Sequence, residues 1–240
     1  MNEVLSQLHA RKSVRAFLTG PFPGGPAGHP GGGLRRPHGG EPAALYHFRH
    51  YRPGRQGHVG RHLRPPALHR PAPLVLLFCA DCQKWYDAFA AGAAPRRPGP
   101  GDLWLALSDA NIAAQNAVTA AWSLGIGSCY IGDILEQVEA HRALLRLPEY
   151  VVPAALLVFG YPTQQQQERE KPRRRALEHI VHENAYRRME PAELEAMLAD
   201  NAGARPYGAW LDAFCKRKYN SDFSREMSRS MAEYLKPFLP

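Results

Sequence analysis

Leu74-Val75-Leu76-Leu77-Phe78-Cys79 is an unbroken apolar run of strand length, and it constrains the fold of this chain more than any other stretch. A strand without polar alternation is buried on both faces, so it belongs in the middle of a sheet. Ser128-Cys129-Tyr130-Ile131 and Ala154-Ala155-Leu156-Leu157-Val158-Phe159 predict two further strands, separated by a helix over roughly 134–145. A longer helix, capped by Ser108 and stopped by Gly125, carries alanines at 110, 113, 114, 117, 120 and 121, small side chains that suit close packing. Strands and helices are mixed, which predicts the α+β class.

Val4, Leu5 and Leu8 keep helical spacing behind an Asn2 cap and lead into the basic Arg11-Lys12-Ser13-Val14-Arg15. At the other end, 191–240 read as a helical extension of a domain over 1–190. From Ser221 to Leu239 the residues Phe223, Met227, Met231, Tyr234, Leu235 and Phe238 follow a 3.6-residue period. Such a stripe must bury itself, and a partner subunit is the expected surface.

The net charge of +8 would ordinarily point to nucleic acid or an anionic membrane, but its distribution argues otherwise. Leu18 to Pro73 holds eight Arg, no Lys and one acid, Glu41, whereas the other 184 residues carry 22 basic and 21 acidic side chains. The body of the protein is close to neutral. The same window holds 12 of the 21 Gly, 11 of the 22 Pro and 7 of the 11 His, so an irregular segment is expected there. No apolar run approaches the ~18 residues of a membrane span, and Met1-Asn2-Glu3 opens no secretory signal. Four cysteines make no disulfide framework, so a reducing cytoplasm is the expected location.

Several motifs carry chemistry in principle. Cys79 and Cys82 have redox-pair or zinc-knuckle spacing, but Cys129 and Cys215 stand alone rather than as a second pair, and buried thiols are the favoured reading. His179 and His182 before Glu183 have metal-ligand spacing without a third ligand motif, so no metal is expected. Gly125-Ile126-Gly127 follows a helix rather than a strand, which rules out a dinucleotide fingerprint and favours a helix stop. Gly132, at a strand end, would let a flat ligand approach the backbone. No G-x-S-x-G singles out a nucleophile. The clusters Arg11-Lys12-Ser13-Val14-Arg15 and Lys171-Pro172-Arg173 together offer what a terminal phosphate needs, although each read alone is a solvated charged turn.

With these residues placed, the chain resembles the FMN-dependent nitroreductase family. Arg11-Lys12-Ser13-Val14-Arg15-Ala16-Phe17 is similar to its opening motif, and Asn111 to Gly132 to its central helix and flavin-contacting turn. Val158-Phe159-Gly160-Tyr161-Pro162 and Lys171-Pro172-Arg173 resemble its last core strand and later basic pair. The resemblance implies a homodimer with a central mixed sheet flanked by helices, and FMN at the interface. FMN would be reduced by NAD(P)H and reoxidised by a nitroaromatic, quinone or similar small-molecule acceptor. The flavin, rather than any side chain, would carry the chemistry. By position, Arg11, Lys12, Ser13 and Arg173 would hold the ribityl phosphate with Lys171 nearby. Arg15 would approach the pyrimidine side, and Tyr130, Ile131 and Gly132 would line the other face.

Residues 18–72 depart from the family, which carries there a helix and an Ala-Pro-Ser/Thr-x-x-Asn-x-Gln motif. Starting one base later, codons for His29 to Gly33 can read Ile-Leu-Glu-Ala-Ala. Those from Arg36 to Leu45 can read Ala-Pro-Thr-Ala-Gly-Asn-Gln-Gln-Leu-Tyr, the missing motif. The window therefore reads as a frameshifted segment, and activity of this chain is expected to be impaired. Two other readings stay open: a degenerate, non-catalytic member of the family, or a basic arm over 18–72 that binds a polyanion.

Overall fold

A computed structural model of the protein describes residues 2–18, 43–47, 72–172 and 174–240. Most of the Gly/Pro-rich window, and Arg173, lie outside the described residues, and so does the irregular structure expected of that window. The chain divides into two compact units, Met1–Arg169 with Met227–Pro240, and Glu170–Glu226. This division falls earlier than the expected boundary at 190 and assigns 227–240 to the first unit.

The first unit is built on four strands in the order β1-β2-β4-β3: β1 (Ala43–His47), β2 (Leu74–Asp81), β3 (Gly127–Ile131) and β4 (Val151–Gly160). Among the described residues every pairing between these strands is antiparallel, and the bridge from Ser13 to Ser128 is parallel. β1 lies inside the window for which composition allowed no regular structure, and its backbone pairs Ala43 with Ala80 through His47 with Leu76.

β2 is buried on both faces as its composition requires, and alternation sorts its side chains into two cores. Leu74, Leu76 and Phe78 join Leu157 and Phe159 of β4 beneath a long helix, whereas Val75, Leu77 and Cys79 join Leu156 and Val158 on the other side. The long helix runs from Pro100 to Ser123, nine residues earlier than a Ser108 cap would place its start. Its true start is marked by Pro100 in the first turn and by Asp102, whose carboxylate accepts from the Gly99 N–H at 2.7 Å and pairs with Arg96. Ser108 sits mid-helix with its hydroxyl on the Trp104 carbonyl at 2.9 Å. Ala110, Ala113, Ala114, Ala117 and Ala121 form the face laid on the sheet, and Gly125, at φ 72°, ends the helix as expected.

In chain order the helices are α1 (Glu3–Ala10), α2 (Gln83–Ala90), α3 (Pro100–Ser123), α4 (Val138–Leu145), α5 (Gln164–Glu168), α6 (Pro191–Ala202), α7 (Tyr207–Lys218) and α8 (Asp222–Leu235). The helix expected over 134–145 is split into a 3-10 turn, Gly132–Leu135, and α4, because Gln137 adopts a left-handed conformation between them. The end of α8 supplies what α4 lacks. Ser230, fully buried, accepts from the Val138 N–H at 3.1 Å, and Arg229 grips Glu139 through two bonds of 2.8 Å. Tyr234 and Phe238 are buried in the core of their own chain, so this part of the C-terminal stripe is already covered.

In the second unit α6 lies beside α7, with Trp210 stacked on Phe214 at 5.1 Å and buried. The Arg175 guanidinium bonds the Met197 carbonyl and the Asn201 side chain. Arg187 holds Glu193 at 2.8 and 2.9 Å, which lowers that carboxyl to about 2.

Candidate functional site

The basic segment Arg11–Leu18 is not a solvated turn. It forms a strap past the start of β3 and the end of β4, bridging Ser13 to Ser128 and Phe17 to Pro162. The Val14 N–H donates to Ser128 O at 2.9 Å, the Leu18 N–H to Tyr161 O at 2.8 Å, and the Thr163 N–H to Ala16 O at 3.2 Å. What lets the strap approach is a pair of glycines facing each other across the sheet, Gly127 and Gly160. A Cβ on Gly127 would stand 2.6 Å from Val14, and one on Gly160 would stand 2.6 Å from the Phe17 ring. The missing side chains are the sockets into which Val14 and Phe17 are buried.

Alternation along the strap then divides its labour. Val14 and Phe17 face the core, while Arg11, Lys12 and Ser13 are half-buried and Arg15 is exposed. Cys129, one residue beyond the bridge on β3, is buried, and burial pushes its thiol up. Arg15 first, then the Ser13 hydroxyl and the Arg11 charge, oppose the shift, and the thiol itself donates to the Tyr130 carbonyl at 3.3 Å. Two cations and a hydroxyl therefore converge on the start of β3. That is a donor-rich patch suited to an anion.

Lys12 reaches the segment after β4. Its ammonium donates to the carbonyls of Gln167, at 2.7 Å, and Arg169. Arg169 donates to the Ser13 carbonyl at 2.8 Å, and Gln166 Oε1 accepts from the Arg15 N–H at 3.1 Å. Tyr130 is partly exposed, and its hydroxyl donates to Gln115 of α3 at 3.3 Å; burial raises its pKa, with Arg11 opposing. Ile131 points its side chain into the core, whereas Gly132 is exposed at the start of the 3-10 turn. Lys171 is half-buried in the second unit, and Arg173 lies outside the described residues.

The fold brings Arg11, Ser13 and Arg15, named from the sequence, together at the start of β3, with Tyr130 on β3 itself, whereas the sequence alone passes over Gly127 as a socket, Gly160, Gln166 and Arg169. A glycine that begins or ends a strand is a signal for close backbone approach, and it could have found the sockets. Gln166 and Arg169 stand in a polar run with no pattern of their own.

Cys79 and Cys82 are free and buried, and burial is the main cause that drives both thiols up, Cys82 to about 11. His182 packs its ring on Tyr186 at 4.8 Å. Among the described residues no group of three or more His, Cys, Asp or Glu is placed to hold a metal, and no helix is long and apolar enough to cross a membrane.

Comparison with known proteins agrees with this architecture. Residues 46–161 match the model of the nitroreductase family. The chain is 44% identical over 84 residues to an oxygen-insensitive NADPH nitroreductase of Salmonella typhimurium, covering 35% of this chain and 34% of that protein. It is 30% identical over 166 residues to an FMN reductase (NAD(P)H) of Bacillus subtilis, covering 68% and 62%. The chain thus spans from about a third to about three fifths of the length of these relatives. Among solved structures, the NADPH:FMN oxidoreductase of Vibrio harveyi complexed with NAD+ superposes with a TM-score of 0.79 at 20% identity, over 99% of each chain. The sequence match places residues 46–161 in the nitroreductase family, and the superposition shows that the whole chain shares a fold with a solved NADPH:FMN oxidoreductase.

Proposed function

We infer that the protein is an FMN-dependent oxidoreductase that moves electrons from NAD(P)H to nitroaromatic, quinone or similar small-molecule acceptors and works as a homodimer. The observation that carries this reading is the strap. Arg11, Ser13 and Arg15 form a cationic, donor-rich cluster at the start of β3, and such a donor set fits a phosphate-bearing cofactor. The names of the relatives, an FMN reductase and an NADPH nitroreductase, point the same way.

When bound, FMN supplies the redox chemistry, accepting hydride from NAD(P)H and passing electrons on. The chain's own residues bind and orient it. Arg11 and Ser13 would hold the phosphate. Arg15 would place positive charge beside the pyrimidine edge, and Tyr130, fixed by Gln115, would shape the pocket with Gly132. Four free cysteines support a reducing, cytoplasmic setting.

Residues 18–72 lack the motif that would complete the flavin site. Losing two or three hydrogen bonds at ~0.5–1.5 kcal/mol each lowers FMN affinity by about one to two orders of magnitude or more. The test is flavin absorbance and NAD(P)H consumption with a nitroaromatic acceptor, run on this chain and on a chain with the window's frame restored. The restored protein is expected to purify yellow and turn over faster. Failure of both to bind FMN overturns the reading, and equal occupancy and rate overturns the impairment.

A further inference from the structure

Lys12 directs its ammonium to main-chain acceptors of a distant segment. Its ammonium has three protons to donate, and two are engaged by the carbonyls of Gln167 and Arg169. These carbonyls lie at the end of α5, where a helix leaves acceptors unsatisfied and a cation is favoured. The reverse bond is equally direct, because Arg169 donates from its guanidinium to the Ser13 carbonyl at 2.8 Å. Each segment therefore sends one cation to the other's main chain. Between the two, Gln166 accepts from the Arg15 N–H at 3.1 Å.

We propose that Lys12 and Arg169 are positioning residues that form a reciprocal latch, holding the strap so that Arg11 and Ser13 present their donors to the anionic end of the cofactor. For the identity of that anion the proposal rests on the flavin reading; the latch itself does not. Phosphate binding then falls to Arg11 and Ser13. Moving Lys12 onto a phosphate would strip the end of α5 of its cation and leave two carbonyls without their donor.

The test uses the full chain without flavin, and then with it. Amide hydrogen exchange is measured on the unaltered protein, Lys12→Met, Arg169→Ala, the double variant and Arg169→Lys, followed by titration with FMN and with riboflavin, which lacks the phosphate. Exchange over 13–18 is expected to rise about tenfold in either single variant while β2 and β4 keep their protection, with the double variant no faster than the worse single. FMN affinity is expected to fall about tenfold and riboflavin affinity much less, with Arg169→Lys recovering part of the loss. Unchanged exchange in both single variants overturns the latch. Lost FMN affinity in Lys12→Met at unchanged exchange makes Lys12 a direct phosphate ligand and also overturns it. A loosened strap with full FMN affinity overturns the positioning role. If the unaltered chain takes up no FMN while exchange responds as described, the latch is supported and flavin as its cargo is removed.

Discussion

At the scale of single residues, the sharpest constraint is the fit of Val14 on Gly127. A methyl group there would sit 2.6 Å from the Val14 side chain, well inside van der Waals contact. Gly127→Ala should therefore destabilise the protein by ~1–3 kcal/mol through overpacking, read as a lower urea midpoint. Combining it with Val14→Ala should cost less than the two single losses added, because the second change vacates the space that the first demands. Additive losses would refute the socket. A second test concerns Tyr234, whose buried hydroxyl has no hydrogen-bond partner and whose pKa is pushed from 10.0 to about 12, chiefly by burial. Between these values the unfolded chain releases the proton while the folded chain keeps it, so stability falls as pH rises from 10.0 to about 12. Cys82, raised from 9.0 to about 11, adds a similar loss at slightly lower pH. Tyr234→Phe should match or exceed the parent's stability near neutrality and lose less on going to about pH 11, since it removes one of the groups whose pKa is raised by burial. An identical alkaline loss in both proteins would count against this assignment.

At the scale of elements, the strands were the most legible part of the chain. β2, β3 and β4 each contain the run that predicted them, and in β2 and β4 burial on both faces leaves no room for polar residues. Helix starts were less legible. Ser108 has the chemistry of a cap, yet Asp102 and Pro100 do that work six and eight residues earlier, and only the bond to the Gly99 N–H distinguishes them. β1 was invisible, since its residues lie in a Gly/Pro-rich context and its pairing comes from β2. Part of the site was readable for the same local reason: cations and hydroxyls announce themselves in sequence. The latch was not, because it is a long-range pairing between Lys12 and a polar segment more than 150 residues away. For the C-terminal elements, Phe238 meets Tyr150 edge-on at 5.4 Å and is almost wholly buried. Phe238→Ala should cost ~3–5 kcal/mol in unfolding free energy, and a loss under about 1 kcal/mol would mean that this end of the chain is not part of the core.

At the scale of the whole molecule, α1 turns Val4, Leu5 and Leu8 to the surface, and α3, which it touches, exposes Trp104, Leu105 and Ile112. Trp104 is 74% and Leu105 69% exposed, an apolar patch of the kind that a second copy of the chain would cover. If this face makes the homodimer, Leu105→Glu should shift sedimentation from dimer to monomer at micromolar concentration while the circular dichroism of the fold is retained. A dimer that survives unaltered would move the interface elsewhere. The strap also has a kinetic meaning. Its partners, Ser128 and Pro162, lie more than a hundred residues along the chain, so its docking has a high contact order and is expected to come late in refolding. Among the described residues β3 ends the strand order, and until Ser13 arrives at Ser128 this edge lacks the strap and can recruit another molecule. The interval before the strap closes is thus when this protein is most prone to aggregate, and refolding yield should fall steeply with concentration over that interval alone.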